Sequence, residues 1–144
     1  MILPSTYWGG ELNRCTITTK NGPMLLSVPI RDSRKMLRGL ENGSQRIEDI
    51  EICFMHAWQR QHWTAIFSAY GKTPYFDYYA DYIRPIYEKQ PKWLADLNNE
   101  TNYILRCLLE NRQPGPETER VEALHKPGIL DLLFEYGPEA QLRL

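Results

Sequence analysis

The sequence predicts an α+β fold, a small and mainly antiparallel sheet covered by about three helices, in a single domain spanning residues 1–144. Three observations carry this prediction. Residues 14–30 alternate around a tight-turn pair, the apolar period changes from two to about 3.6 near Trp58, and breaker residues cut the second half into helix-sized pieces. A chain of 144 residues is long enough to bury one core unaided.

Residues near 2–6 read as a first strand. RCTITT and MLLSVPI flank KNGP, in which Asn21-Gly22 is the pair that tolerates positive φ, so 14–30 reads as a hairpin. Pro29 has no N–H to give a ladder and marks a strand end or an edge. RDSRKMLRGLENGSQ reads as a polar loop, and RIEDIEI alternates again as a short third strand near 47–53. From Trp58 a helix places Trp63, Ile66, Phe67 and Tyr70 on one stripe and ends at Gly71. Thr73 as N-cap and Pro74 at the first helical position start a second helix, which Pro85 kinks or ends. A third helix covers about 91–111, with Leu94, Leu97, Thr101, Ile104 and Leu108 on one side. NRQPGPETE is a linker, and GILDLLFEYGPEAQLRL closes the chain as a short apolar helix, a Gly-Pro stop and a frayed end.

Composition excludes several function classes. The net charge of -1 offers no concentrated positive field, which argues against a nucleic-acid binder or an anionic-membrane surface. The apolar runs are too short for a membrane span, and MILPSTYWGG lacks the charged start and apolar core of a signal peptide. Cys15, Cys53 and Cys107 form no CxxC pair, so reduced thiols in a cytoplasmic protein are the simplest reading. No histidine pair has metal-site spacing on a helix, and neither a glycine-rich phosphate loop nor a GxSxG elbow occurs; no cofactor is predicted.

The rings concentrated between residues 54 and 103 are the chain's unusual feature. On the second helix Tyr75, Phe76, Tyr78, Tyr79, Tyr82, Ile83 and Ile86 share one broad arc. Asp77, Asp81, Arg84 and Glu88 gather opposite it, as a solvated, ion-paired face rather than an acid/base pair. Phe76, Ile83 and Ile86 pack, whereas every tyrosine hydroxyl needs a polar partner. The arc therefore suits a core with wet edges, or a surface for a sugar ring, a nucleobase or a protein. His62, one turn after Trp58, reads either as a histidine that packs on Trp58 and bonds a backbone carbonyl, or as a general base. Arg31, Arg34, Lys35 and Arg38 form the one local positive patch, a solvated loop or a seat for phosphate.

Several motifs in order then carry a resemblance: NRC at Asn13–Cys15, NGP with LLSVPI at 21–30, W…HW…I.SAY..TPYF.YY at 58–79, RP.Y at 84–87, D.N at 96–98 and DLLFEYGPEA at 131–140. Together they resemble the WbqC-like protein family, named from a protein of bacterial O-antigen gene clusters. The resemblance implies a bacterial cytoplasmic protein working in surface-polysaccharide or modified-sugar assembly. It supplies no catalytic residues. Its polar matching positions here are Asn13, Arg14, His62, Ser68, Tyr75, Tyr78 and Tyr79. Relatives carry a longer segment between the opening strand and NRC, where this chain has only WGGEL, Trp8 to Leu12. With that segment the first strand would enter a β-α-β unit, which makes α/β the alternative fold.

Two functions stand side by side. In the first, a group transferase takes a nucleotide sugar or another small molecule. His62 is its catalytic base, and Asn13, Arg14, Trp58, Ser68, Tyr75, Tyr78 and Tyr79 bind substrate, Arg14 on a phosphate or carboxylate. The loops near Arg14, residues 31–38 and His56 to His62 would then converge. In the second, a non-catalytic accessory protein uses the aromatic face to hold a protein partner or its own copy.

Overall fold

A computed structural model describes residues 5–126 and 128–143, and within them the fold is α+β. Strands β1 (Arg14–Thr19) and β2 (Gly22–Ser27) form an antiparallel hairpin. Helices α1 (Ser33–Asn42), α2 (Trp58–Tyr70), α3 (Phe76–Ile83), α4 (Leu94–Leu109) and α5 (Ile129–Tyr136) follow. Short 3-10 segments occupy Ile47–Asp49, Arg84–Glu88 and Gly137–Arg143.

In the hairpin Arg14 pairs with Ser27 and Thr19 with Gly22. Only Gly22 takes positive φ, at 107°, while Lys20 and Asn21 make the turn with negative φ. The glycine therefore relieves the turn one residue later than an Asn-Gly centre would. The inner face of β1 buries Cys15 and Ile17 against α2.

The structure corrects four sequence expectations. Residues 33–42 are helix rather than loop, because Met36 and Leu40, one turn apart, pack on the core while Arg34, Lys35 and Arg38 stay in solvent. The third strand is absent among the described residues. Ile50 and Ile52 do alternate inward, but 47–49 is a 3-10 turn and only single bridges form, Ile30 to Ile52 and Glu51 to Trp93. The buried line of α2 is Trp58, His62, Ile66 and Tyr70, so Phe67 turns outward and is 58% exposed. The C-terminal segment is ordered as a 3-10 turn with Ala140 buried, not frayed. The first strand lies partly outside the described residues, and Ser5 and Thr6 are not in a strand.

Why Ser5 and Thr6 need no ladder follows from α4. All five residues of its expected stripe are buried, and Asn98 and Asn102 lie in the core with them. Asn102 Nδ2 donates to the Thr6 carbonyl (2.8 Å), and Asn98 Nδ2 donates to Ser5 Oγ and the Leu12 carbonyl. Leu124 N–H in turn donates to Asn102 Oδ1 (2.8 Å), so one buried helix satisfies two irregular segments by side chains.

Helix α3 starts at Phe76, since Thr73 Oγ1 turns back to the Tyr70 carbonyl instead of capping forward. As expected, Pro85 ends it, in a 3-10 turn. Its polar face carries loose ion pairs from Arg84 to Asp81 (3.7 Å) and Glu88 (3.5 Å). At the other end of α2, Tyr70 Oη donates to Asp131 Oδ1 (2.7 Å) and accepts from Thr18 N–H, which ties α5 to the hairpin.

Candidate functional site

Elements distant in sequence bury a connected row of polar rings around His62. Tyr7 and Trp8 come from the turn before β1, His62 from α2, and Tyr87 from the 3-10 turn after α3. Trp8 Nε1 donates to Tyr87 Oη (2.7 Å), and the Tyr87 and Tyr7 hydroxyls lie 2.5 Å apart. Tyr7 Oη lies 2.8 Å from His62 Nδ1, and His62 Nε2 lies 3.0 Å from the Ser27 carbonyl.

The two ends fix the direction of every bond. Indole can only donate and a carbonyl can only accept. Tyr87 therefore donates to Tyr7, Tyr7 to Nδ1, and Nε2–H to Ser27: four hydrogens fill four links. His62 is 5% exposed, and burial pushes its pKa down to about 4 against the smaller opposing pull of the Ser27 carbonyl. Burial likewise holds the Tyr7 and Tyr87 hydroxyls well above their ordinary range. A neutral His62 with both nitrogens engaged has no lone pair for a substrate proton. The geometry gives it the backbone-carbonyl role, packed edge-on against Trp58 at 5.1 Å.

The other residues singled out from sequence scatter. Trp58 is buried, and its Nε1 has no partner among the described residues. Asn13 Nδ2 donates to the Val28 carbonyl (3.0 Å) and closes the open end of the hairpin. Tyr75 lies over Gly137, where a Cβ would come within 2.4 Å of its ring. Tyr78 is 66% exposed beside buried Tyr79, whose hydroxyl has no partner among the described residues; both line a cavity of 30 Å³, room for one water. Ser68 sits on the exposed side of α2 above an open groove. Residues 31–38, Arg14 and His56 do not meet: Arg14 and His56 line different cavities, and Arg34, Lys35 and Arg38 sit on the solvent side of α1.

Arg14 alone of that set opens into a cleft with reactive neighbours. The cleft, 230 Å³, lies between the Trp8–Glu11 turn, β1 and the start of α5, and Arg14, Glu11, Cys15 and His125 line it. Arg14 pairs with Glu11 (2.8 Å), and His125 sits exposed at the mouth. The Cys15 thiol is buried in the wall, where desolvation pushes its pKa up to about 12 and keeps it protonated.

The turn forming the upper wall is strained. Trp8 has φ of 49°, a left-handed conformation that costs a bulky residue about 1–2 kcal/mol. Burial of its ring, its bond to Tyr87 and the bond from its N–H to Thr101 Oγ1 (3.3 Å) hold it there. Tyr7 N–H to Glu11 O and Glu11 N–H to Arg14 O, both 2.8 Å, close the turn. The lower wall includes the first turn of α5, which no side chain caps among the described residues and which carries Asp131, its carboxylate accepting from Tyr70 and Thr18.

Sequence reasoning missed His125 and Glu11. His125 lies beyond the linker, about 110 positions from Arg14, and no local pattern connects them. Glu11 sits at i, i+3 from Arg14, a spacing that was legible.

The WbqC-like protein family matches residues 8–114, a span that begins at the strained tryptophan and includes the NRC, SAY..TPYF and D.N motifs. DLLFEYGPEA and His125 lie beyond the matched residues. Neither the curated proteins nor the solved structures gave a match. With most of its length matched, the chain belongs to the WbqC-like protein family.

Proposed function

We propose that this protein is a cytoplasmic group transferase of bacterial surface-polysaccharide or modified-sugar assembly, and that its substrate lies in the cleft beside Arg14. One observation supports this above others: a forked cation, an imidazole and an uncapped helix start line one cleft. Arg14 would leave Glu11 to hold a phosphate or carboxylate with two parallel bonds. His125 would take the proton from an acceptor hydroxyl or amine as that oxygen or nitrogen bonds to the transferred group, and the leaving group would depart with the bonding electrons. The volume of 230 Å³ falls below the roughly 300–1,000 Å³ of sites that swallow a drug-sized ligand, so only the reacting end of a larger substrate would enter.

The test is a thermal-shift screen against nucleotide sugars, sugar phosphates, amino acids and acyl-CoA compounds, since a ligand of the folded state raises apparent stability. A class that shifts the wild type, fails to shift Arg14→Ala, and binds His125→Ala without turnover would support the proposal. An unchanged response in Arg14→Ala would refute it. The accessory reading keeps one observation of its own: Phe67 and Tyr78 expose most of their rings although their aromatic neighbours Phe76 and Tyr79 are buried. A mass that rises with concentration, and falls back to monomer in Phe67→Ser, would favour it.

A further inference from the structure

The free edge of β1 has an open position, and it lies in the cleft beside Arg14. In an antiparallel pair, successive residues turn their backbone N–H and C=O alternately toward the partner strand and away from it. Val28 N–H donates to the Asn13 carbonyl (2.7 Å), so in this register Cys15, Ile17 and Thr19 bond across to β2. Arg14, Thr16 and Thr18 therefore turn their backbone groups outward. The Arg14 carbonyl accepts from Glu11 N–H (2.8 Å), and Thr18 N–H donates to Tyr70 Oη (3.2 Å). Thr16, between them, has no partner for its N–H or its C=O among the described residues.

The walls of the cleft close both ends of this gap. Glu11 belongs to the Trp8–Glu11 turn, which comes so near the strand that a Cβ on Gly10 would lie 2.6 Å from the Arg14 carbonyl oxygen. On the other side Tyr70 is tied to Asp131 in the first turn of α5 (2.7 Å). Thr16 lines the space between the walls, where Ile129 and Leu130 supply apolar surface. From Arg14 to Thr18 the strand covers about 13 Å. That length admits one extended residue with a small acyl group, and the two walls stop anything longer from pairing.

We infer that the cleft beside Arg14 takes an N-acylated α-amino acid with a free carboxylate, paired to the backbone of Thr16. An extended residue presents its N–H and C=O on one edge and can bond Thr16 through both. Laid antiparallel to β1, it gives its N–H to the Thr16 carbonyl and takes the Thr16 N–H on a carboxylate oxygen. That oxygen lies on the Arg14 side, where the guanidinium holds the carboxylate. The acyl group then points toward Thr18. The opposite direction would carry the carboxylate toward Asp131, a like charge bonded to Thr18, so charge selects the first. A phosphate in the same place would accept from Thr16 and Arg14 but offer the Thr16 carbonyl no hydrogen. The inference rests on the proposal that Arg14 binds the substrate of this cleft, and it names the anion held there as a carboxylate.

The experiment is a titration of the ¹⁵N-labelled chain with N-acetylalanine, beside its methyl ester, N-acetyl-N-methylalanine, N-acetyl-trialanine and inorganic phosphate. N-acetylalanine should move the Thr16 amide downfield and shift the amides of residues 9–11 with it. The ester lacks the carboxylate and the N-methyl compound lacks the N–H, so each should bind about tenfold more weakly. N-acetyl-trialanine should also bind more weakly, because Tyr70 holds the edge at Thr18. Arg14→Ala, at an exposed position, should lose about tenfold for N-acetylalanine and almost nothing for the ester. A Thr16 amide that stays still at millimolar N-acetylalanine would overturn the inference, as would equal binding of the N-methyl compound or of N-acetyl-trialanine. Phosphate or a nucleotide sugar that shifts the wild type but not Arg14→Ala, with N-acetylalanine silent, would overturn it too and leave the group-transfer reading standing. Binding of N-acetylalanine in the expected order, with no turnover of any acceptor, would support the inference and count against that reading.

Discussion

Acid should unfold this protein partly through one group, His62. Its folded-state pKa is about 4 against an ordinary 6.5, so between these values the unfolded chain binds the proton and the folded chain does not. Stability therefore rises with pH through this window, is fully present above about pH 6.5, and is lost as pH falls toward 4. From the two values the loss is about 2 kcal/mol at pH 5 and about 3 kcal/mol at pH 4.

The hydrogen-bonded row supplies the structural reason. Four hydrogens fill four links from Trp8 to Ser27, and protonated His62 brings a fifth. Tyr7 would have to reverse and donate to Tyr87 Oη, which already accepts from Trp8 Nε1, and the displaced Tyr87 hydrogen would need a new acceptor in a buried row. Urea unfolding of wild type and His62→Gln from pH 7.5 to 5 isolates the effect, because every other titrating group cancels in the difference. The wild type should lose about 2 kcal/mol more than the variant across this range. Parallel profiles would refute the argument. So would an NMR titration of the wild type in which the His62 ring protonates near 6.5, a reading that needs no folded variant.

Two further outcomes follow from the packing. Tyr7→Phe should destabilise by about 2–6 kcal/mol in chemical denaturation, because it strands both His62 Nδ1 and the Tyr87 hydroxyl, each at a cost of about 1–3 kcal/mol. Gly137→Ala should lower the thermal midpoint by several degrees, since φ is 54° and the added carbon would sit 2.4 Å from the Tyr75 ring; Gly128→Ala, with positive φ but more room, should cost less.

The legible parts of this protein are those governed by neighbours in sequence. The hairpin, the start of α2, the stop at Pro85, the full buried stripe of α4 and the ion-paired face of Asp81, Arg84 and Glu88 depend on period, breakers and spacing over a few residues. Two misses show the limit of the same signals. In residues 33–42 charged residues hid the Met36–Leu40 pair, one turn apart, and in 47–53 the alternation of Ile50 and Ile52 was read as a ladder. Period tells which side chains face inward. It does not tell whether a second strand is there to accept the backbone bonds.

Tertiary structure alone decided the rest. At His62 the helical period left a shoulder position open to two roles; Tyr7, 55 residues away, and the Ser27 carbonyl, 35 away, chose between them by taking both ring nitrogens. The stripe of α2 rotated toward His62 because that row needed the interior, and Phe67 was left outside. His125 reached the cleft of Arg14 by chain path and not by pattern. The sequence by itself determined which residues are apolar, breaking or charged, and thus the family and the α+β class. Which polar groups share a site depended on pairings across tens of residues, and no local spacing encodes those.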